Sequence, residues 1–199
     1  MTSQMAGPLA GLRVLELTGE HAQFCGKLMA DLGADVIKIE PPGGQETREV
    51  GPFLDDQAGP ERSLYFWHYN TSKRGVTLDI TKPEGQEVFR KLAATAGLVL
   101  ESFPAGYLPG LGLSYDSLSA DNPGLIMCSV TPFGQDGPWR DYLTSDLLHL
   151  AAGGQMASSG YDVKDVPDAP PIAPGGGNAW HIASHYSYIA IMGALYQRD

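Results

Sequence analysis

The chain has 199 residues, 43% of them hydrophobic, 18% charged and 9% aromatic, which fits about one domain that buries roughly 70% of its unfolded surface. Thirteen basic residues against 23 acidic ones give a net charge of −10, and this excludes broad nucleic-acid or membrane-surface binding, which needs a positive field. No apolar run approaches the ~18 residues of a membrane span, residues 1–5 show no signal-peptide pattern, and Cys25 and Cys128 belong to no Cys/His cluster, so the expectation is a soluble, cytoplasmic protein with no metal site and no disulfide scaffold.

Residues 11–17 (Gly-Leu-Arg-Val-Leu-Glu-Leu) form the first predicted strand, and a helix follows from Phe24 to Leu32, with Phe24, Leu28, Met29 and Leu32 on one face. Gly33 ends that helix as a C′ glycine, and Asp35–Glu40 is a second, β-branched strand. Strand, helix and strand make a right-handed βαβ unit. Pro41-Pro42-Gly43-Gly44 stops the second strand and opens a loop to about Arg62, long enough to suggest a functional role. Gly75–Ile80 alternates like a strand. A helix then starts at 81–84 with Thr81 as N-cap candidate and Pro83 in its first turn, and runs to Ala96. Leu98–Glu101 and Leu125–Val130 are further strands, the latter apolar enough for burial on both faces. Short helices are expected at 115–120 and 143–152, and a long amphipathic helix at 179–198. Glycine and proline, about a fifth of the chain, cluster between these elements and look like loops.

Strands alternating with helices predict an α/β fold, a Rossmann-like doubly wound parallel sheet. Ligands in such folds sit beyond the carboxyl ends of the strands, here near Thr18, Pro41, Ile80, Ser102 and Thr131. The turn after the first strand, Thr18-Gly19-Glu20-His21-Ala22-Gln23, lacks the G-x-G-x-x-G of dinucleotide binding, and Glu20 would repel a pyrophosphate. His21, at that strand end, is a ligand candidate. His149, in an apolar stretch, reads as a satisfied core residue. His181 and His185 have metal-ligand spacing, but no carboxylate joins them before Asp199. Gly175-Gly176-Gly177 precedes a helix and resembles a phosphate cradle; a flexible helix entry is the simpler reading. In the 161–171 loop three aspartates lie among three prolines. An aspartate is ionised at neutral pH without help and can attack a thioester carbonyl.

Gly7–Thr18 (GPLAGLRVLELT) and Leu28–Glu40 (LMADLGADVIKIE) resemble the class III CoA-transferases, the group of formyl-CoA transferase, the carnitine CoA-transferases and the 2-methylacyl-CoA racemases. NTSKRGVTLD at 70–79, LGLSY at 111–115, Asn122-Pro123, FGQDGP at 133–138 and DAPP at 168–171 continue the resemblance in order. It implies that the chain is the N-terminal half of that family's large domain, spanning 1–199, with the helix at 178–199 leading toward an absent second half. It implies acyl-CoA and a carboxylic acid as substrates, no permanently bound cofactor, a second polypeptide that supplies the missing half, and dimerisation of the assembled unit. It also implies an aspartate nucleophile between a Ser/Thr-Gly turn and a paired proline. Asp168 keeps the Asp-x-Pro-Pro end of that pattern, and Asp162, the alternative, keeps the distance from Ser159-Gly160.

Carried over by position, Leu78 and Asp79 match the adenine side of the CoA site, Ser102 and Phe103 an Asn-Phe segment, and Thr131, Phe133 and Gly134 the pantetheine side. Pro41, Thr81 and Gly110 stand where relatives carry basic residues, which leaves Lys38, Arg48, Lys73 and Arg74 as cations for the CoA phosphates. The racemase pair is missing: Thr144-Ser145-Asp146-Leu147 lacks the histidine, and Ala173-Pro174-Gly175 lacks the aspartate. The leading expectation is a CoA-transferase subunit or half working through an aspartyl anhydride and an aspartyl-CoA thioester. The rival is a non-catalytic scaffolding subunit of a heteromeric CoA-transferase.

Overall fold

A computed structural model describes residues 7–162 and 164–199. The strands are β1 (Arg13–Leu17), β2 (Asp35–Glu40), β3 (Arg74–Thr77), β4 (Leu98–Glu101) and β5 (Ile126–Ser129). The helices are α1 (Gln23–Asp31), α2 (Leu64–Tyr69), α3 (Pro83–Ala93), α4 (Tyr107–Gly110), α5 (Tyr115–Ser119), α6 (Asp146–Ala152), α7 (Gln155–Ser158) and α8 (Asn178–Arg198), with 3-10 turns at Glu46–Glu49 and Leu54–Asp56. The five strands pair in the order β3-β2-β1-β4-β5, all parallel. This is the doubly wound sheet expected from the alternating pattern.

The near-continuous apolar runs of β1, β2 and β4 follow from burial on both faces. Leu15, Ile37 and Val99 point into one core with Phe89 and Ala93 of α3, Leu108 of α4 and Leu118 of α5. Val14, Val36, Leu98 and Leu100 point into the other, with Cys25 and Met29 of α1 and Ile191 and Leu195 of α8. Each buried valine, leucine, isoleucine, phenylalanine or methionine among them stabilises the fold by roughly 1.5–3 kcal/mol.

Several expectations change. The third strand is shorter than 75–80 and its residues are exposed, because β3 is a sheet edge. β5 is the other edge and only half-buried, not covered on both faces. Thr81 is not a cap: Lys82 holds the N-cap position of α3, and the Thr81 hydroxyl donates to the Asp79 carboxylate at 2.6 Å. The 41–62 loop contains the two 3-10 turns. α8 buries Trp180, Ile191 and Leu195 on its inner side, yet its outer side is also apolar, with Tyr186 71% and Tyr196 89% exposed.

Candidate functional site

The sheet order reverses between β1 and β4, and a cavity of about 450 Å³ opens there over the carboxyl ends of β1 to β4. Its apolar walls include Leu17, Ile39, Leu78, Ile80, Phe103 and Tyr107. Its polar rim carries Glu20, Glu40, Glu46 and Asp79, and no Lys or Arg lines it among the described residues. The β1–α1 turn is fixed at both sides. The Gly19 amide donates to Ser102 Oγ at 2.9 Å, and Lys38 Nζ donates to the Thr18 carbonyl at 2.7 Å.

Beneath that turn lies a buried charge cluster. Glu16 is fully buried and receives Lys38 Nζ at 3.1 Å, the Thr18 hydroxyl at 2.7 Å and Lys73 Nζ at 2.9 Å. Lys73 also donates to the Gln23 carbonyl and to Asn70 Oδ1, both at 2.9 Å. Burial pushes the Glu16 carboxyl up, but Lys38 and Lys73 outweigh it and hold the group below its ordinary value. Burial drives Lys73 down to about 8 despite Glu16 beside it.

The structure brings His21, Leu78, Asp79, Ser102 and Phe103 together around this cavity. It does not bring the four cations there. Lys38 and Lys73 are spent on Glu16. Arg48 grips Glu40 with two hydrogen bonds of 2.8 and 2.7 Å, reaches Glu61 at 3.0 Å, and lies 3.8 Å over the Phe66 ring. Burial raises the Glu40 carboxyl, and the Arg48 hydrogen bonds more than offset that and hold it low. Arg74 forks onto Asp35 at 2.8 Å. Both residues begin strands, so this pair sits at the amino end of the sheet, away from the cavity.

A second cavity, about 320 Å³, shares His21 with the first and is walled by Thr131, His149, Gln155, Trp180 and Ile182. Burial lowers the pKa of His21, against the pull of Glu20 and Glu46, and that of His149, against Asp146. His149 is therefore not a satisfied core residue: it is half-exposed, and its buried Nε2 has no hydrogen-bond partner. Phe133 stands 5.1 Å from the His149 ring, while Gly134 is exposed in a left-handed turn at φ 88°. Beside the Gly175–Gly177 segment the Ala179 amide at the start of α8 donates to Asp146 Oδ1 at 2.8 Å, so a carboxylate already stands at that helix start. His181 bonds the Tyr69 hydroxyl at 2.6 Å, and no group of three metal-ligating side chains exists among the described residues.

Asp168 and Asp162 are exposed and line neither cavity. Their loop closes on itself where Gly160 meets Ile172, and Asp168 adopts a left-handed backbone at φ 76°. Glu46, Tyr107 and Trp180 are cavity residues that sequence reasoning did not pick out, and Glu20 was read only as a charge that repels a pyrophosphate. Nothing in the sequence signals Trp180, which reaches the site through the packing of α8 on α1.

A parallel sheet in this order, with a roomy cleft at its reversal, defines a doubly wound α/β protein, a class of fold whose ligands lie over the strand ends. The chain matches CoA-transferase family III over residues 9–199 and belongs to that family. It is 42% identical over 192 residues to the succinyl-CoA:(R)-benzylsuccinate CoA-transferase subunit BbsE of Thauera aromatica, covering 96% of this chain and 46% of that one. It is 40% identical to the succinate–glutarate CoA-transferase of Agrobacterium fabrum, over 94% of this chain and 47% of the relative. The crystal structure of a CAIB/BAIF family protein from Brucella suis superposes with a TM-score of 0.88 at 41% identity, covering 98% of this chain and 50% of that one. The chain thus spans about half the length of the curated relatives it matches. No helix of the described residues is long and apolar enough to cross a membrane.

Proposed function

We propose that this chain forms the CoA-binding wall of a cytoplasmic CoA-transferase that moves CoA from an acyl-CoA to a carboxylic acid. The observation that carries the reading is the 450 Å³ cleft over four parallel strand ends, apolar inside and bordered by the β1–α1 turn, which is fixed at both sides. With Glu40 neutralised by Arg48 and the other cations engaged, the CoA phosphates would have to lie outside the acidic rim, facing solvent or a partner chain. The outer face of α8 supports such a partner, since it leaves a row of large apolar side chains in water.

In the proposed chemistry an Asp168 carboxylate oxygen attacks the thioester carbonyl carbon and expels the CoA thiolate, leaving an acyl–aspartyl anhydride. The thiolate attacks the aspartyl carbonyl, releases the donor acid and leaves an aspartyl-CoA thioester. The acceptor carboxylate attacks that carbonyl and expels the thiolate again. The thiolate then takes the acceptor's acyl carbon and frees the aspartate. Pro167, Pro170 and Pro171 limit the backbone around Asp168. This role requires the 160–172 loop to be held over the thioester by the rest of the assembled enzyme. Asp162 is the alternative on the same loop.

The exposure of both aspartates favours a second reading, in which this chain binds CoA while a partner supplies the nucleophile. The relatives named as subunits, BbsE and the succinyl-CoA–L-malate CoA-transferase beta subunit of Chloroflexus aurantiacus, are compatible with it. Hydroxylamine trapping of the assembled enzyme after acyl-CoA addition separates the two. The first reading expects a hydroxamate on Asp168, and Asp168→Asn lowering turnover by about 10³-fold or more with CoA binding retained. A hydroxamate on the partner chain, with normal turnover in Asp168→Asn, selects the second.

A further inference from the structure

We propose that the second cavity is the seat of the acceptor acid, and that this acid carries a flat aromatic body; the inference rests on the reading of the chain as part of a CoA-transferase. The two cavities have opposite polar character. The first has a rim of carboxylates, which repels a free acid. The second is lined by no carboxylate among the described residues and offers His21, His149, Thr131 and Gln155, each able to donate a hydrogen bond. The His149 ring stands in this wall, while its Nε2 is shielded from the cavity. A carboxylate is the fitting complement, because it accepts from several donors at once.

The body of the ligand is read from the walls. The rings of His149, Trp180 and His21, all of which line the cavity, succeed one another at 5.3 and 4.3 Å between centroids. Such a series favours a further ring, offset-stacked or edge-on. At about 320 Å³ the space suits a single-ring acid rather than a long acyl chain. Because His21 belongs to both cavities, the acid would lie against the same imidazole as the CoA arm in the first, close to the thioester end.

The test uses the full-length protein purified with its co-expressed partner, with 3-phenylpropanoate as probe in titration calorimetry. The expected result is binding of 3-phenylpropanoate at least about tenfold tighter than of 3-phenylpropanamide or acetate. His149→Leu should lose about tenfold in affinity for the acid, His149→Gln should recover part of it by restoring a donor, and Trp180→Ala should lose the preference for the aromatic acid over acetate. Nitrogen NMR of the unmutated protein gives a check free of folding defects: the His149 imidazole signal should move on addition of the acid. Equal binding of acid and amide, or an unmoved His149 signal, overturns the proposal. CoA is titrated in parallel. Failure of CoA to bind overturns the underlying functional reading, whereas CoA binding without acid binding overturns this inference alone.

Discussion

Glu16 is the most consequential single side chain outside the cavities. It sits in the middle strand of the sheet and is fully buried, in a place a sequence pattern assigns to an apolar residue. Two lysines make it tolerable, and through Lys38 the cluster also holds the Thr18 carbonyl, the start of the turn that carries His21. Gly26 is part of the same device: a Cβ there would lie 1.9 Å from Glu16 Oε2. Glu16→Gln removes the anion and leaves two buried ammonium groups facing each other, so it should destabilise the protein by about 3–5 kcal/mol, read from urea unfolding at neutral pH. The unmutated protein should show the matching pH dependence. Its folded state holds the Glu16 proton less tightly than the unfolded chain does, so the contribution is full above the ordinary value of 4.5 and is lost as the pH falls through the lower folded value. Urea midpoints measured between pH 7 and pH 3 should therefore fall more for the unmutated protein than for Glu16→Gln. Equal pH slopes would show that the cluster does not carry the acid sensitivity.

At the scale of elements, the site depends on how closely α3 approaches the turn that precedes it. Gly85, in the first turn of α3, lets the helix backbone lie against Asp79: a Cβ on Gly85 would stand 1.9 Å from the Asp79 carbonyl oxygen. Main chain cannot yield as a side-chain tip can, so Gly85→Ala must displace the Leu78–Thr81 segment that forms one wall of the first cavity. The expected outcome is CoA affinity lowered by about tenfold or more, with about 1–3 kcal/mol of lost stability, checked by calorimetry and thermal unfolding together. Unchanged CoA affinity would remove this wall from the binding site. The strands and the long helices were legible because their periods and glycine stops are local signals; the strand ends pointed to His21 and Ser102, and the family resemblance to Leu78, Asp79 and Phe103. α2, α4 and α7 are 6, 4 and 4 residues long, too short for a period to register. The pairing of Lys73 with Glu16 and of Arg74 with Asp35 was equally invisible. Sequence position put these cations near strand ends, but only the folded register decides which end and which partner.

For the whole molecule the decisive feature is a second apolar face on α8. Ile182, Tyr186, Ile189 and Tyr196 recur at intervals of four, three and seven residues, so they form one stripe, with 43%, 71%, 63% and 89% of their surface exposed. α6 packs against α8 and itself leaves Leu147 and Leu148 about half exposed. Scattered apolar residues on a surface need no explanation, but a contiguous stripe on the longest helix is a surface suited to being covered by further protein. Net charge does not compete with this reading, since the stripe itself carries none. The proposed partner chain would cover it, and covering Tyr186 and Ile189 alone would contribute roughly 3–6 kcal/mol of association free energy. Tyr186→Ser combined with Ile189→Ser should therefore weaken assembly by about 10²–10⁴-fold, seen by light scattering as a shift from the assembled species to the isolated chain. Both side chains point away from the Ile191–Leu195 core, so the circular dichroism spectrum and thermal midpoint of the isolated chain should stay within error of the unmutated chain. Assembly that survives the double substitution at low micromolar concentration would assign the partner surface elsewhere.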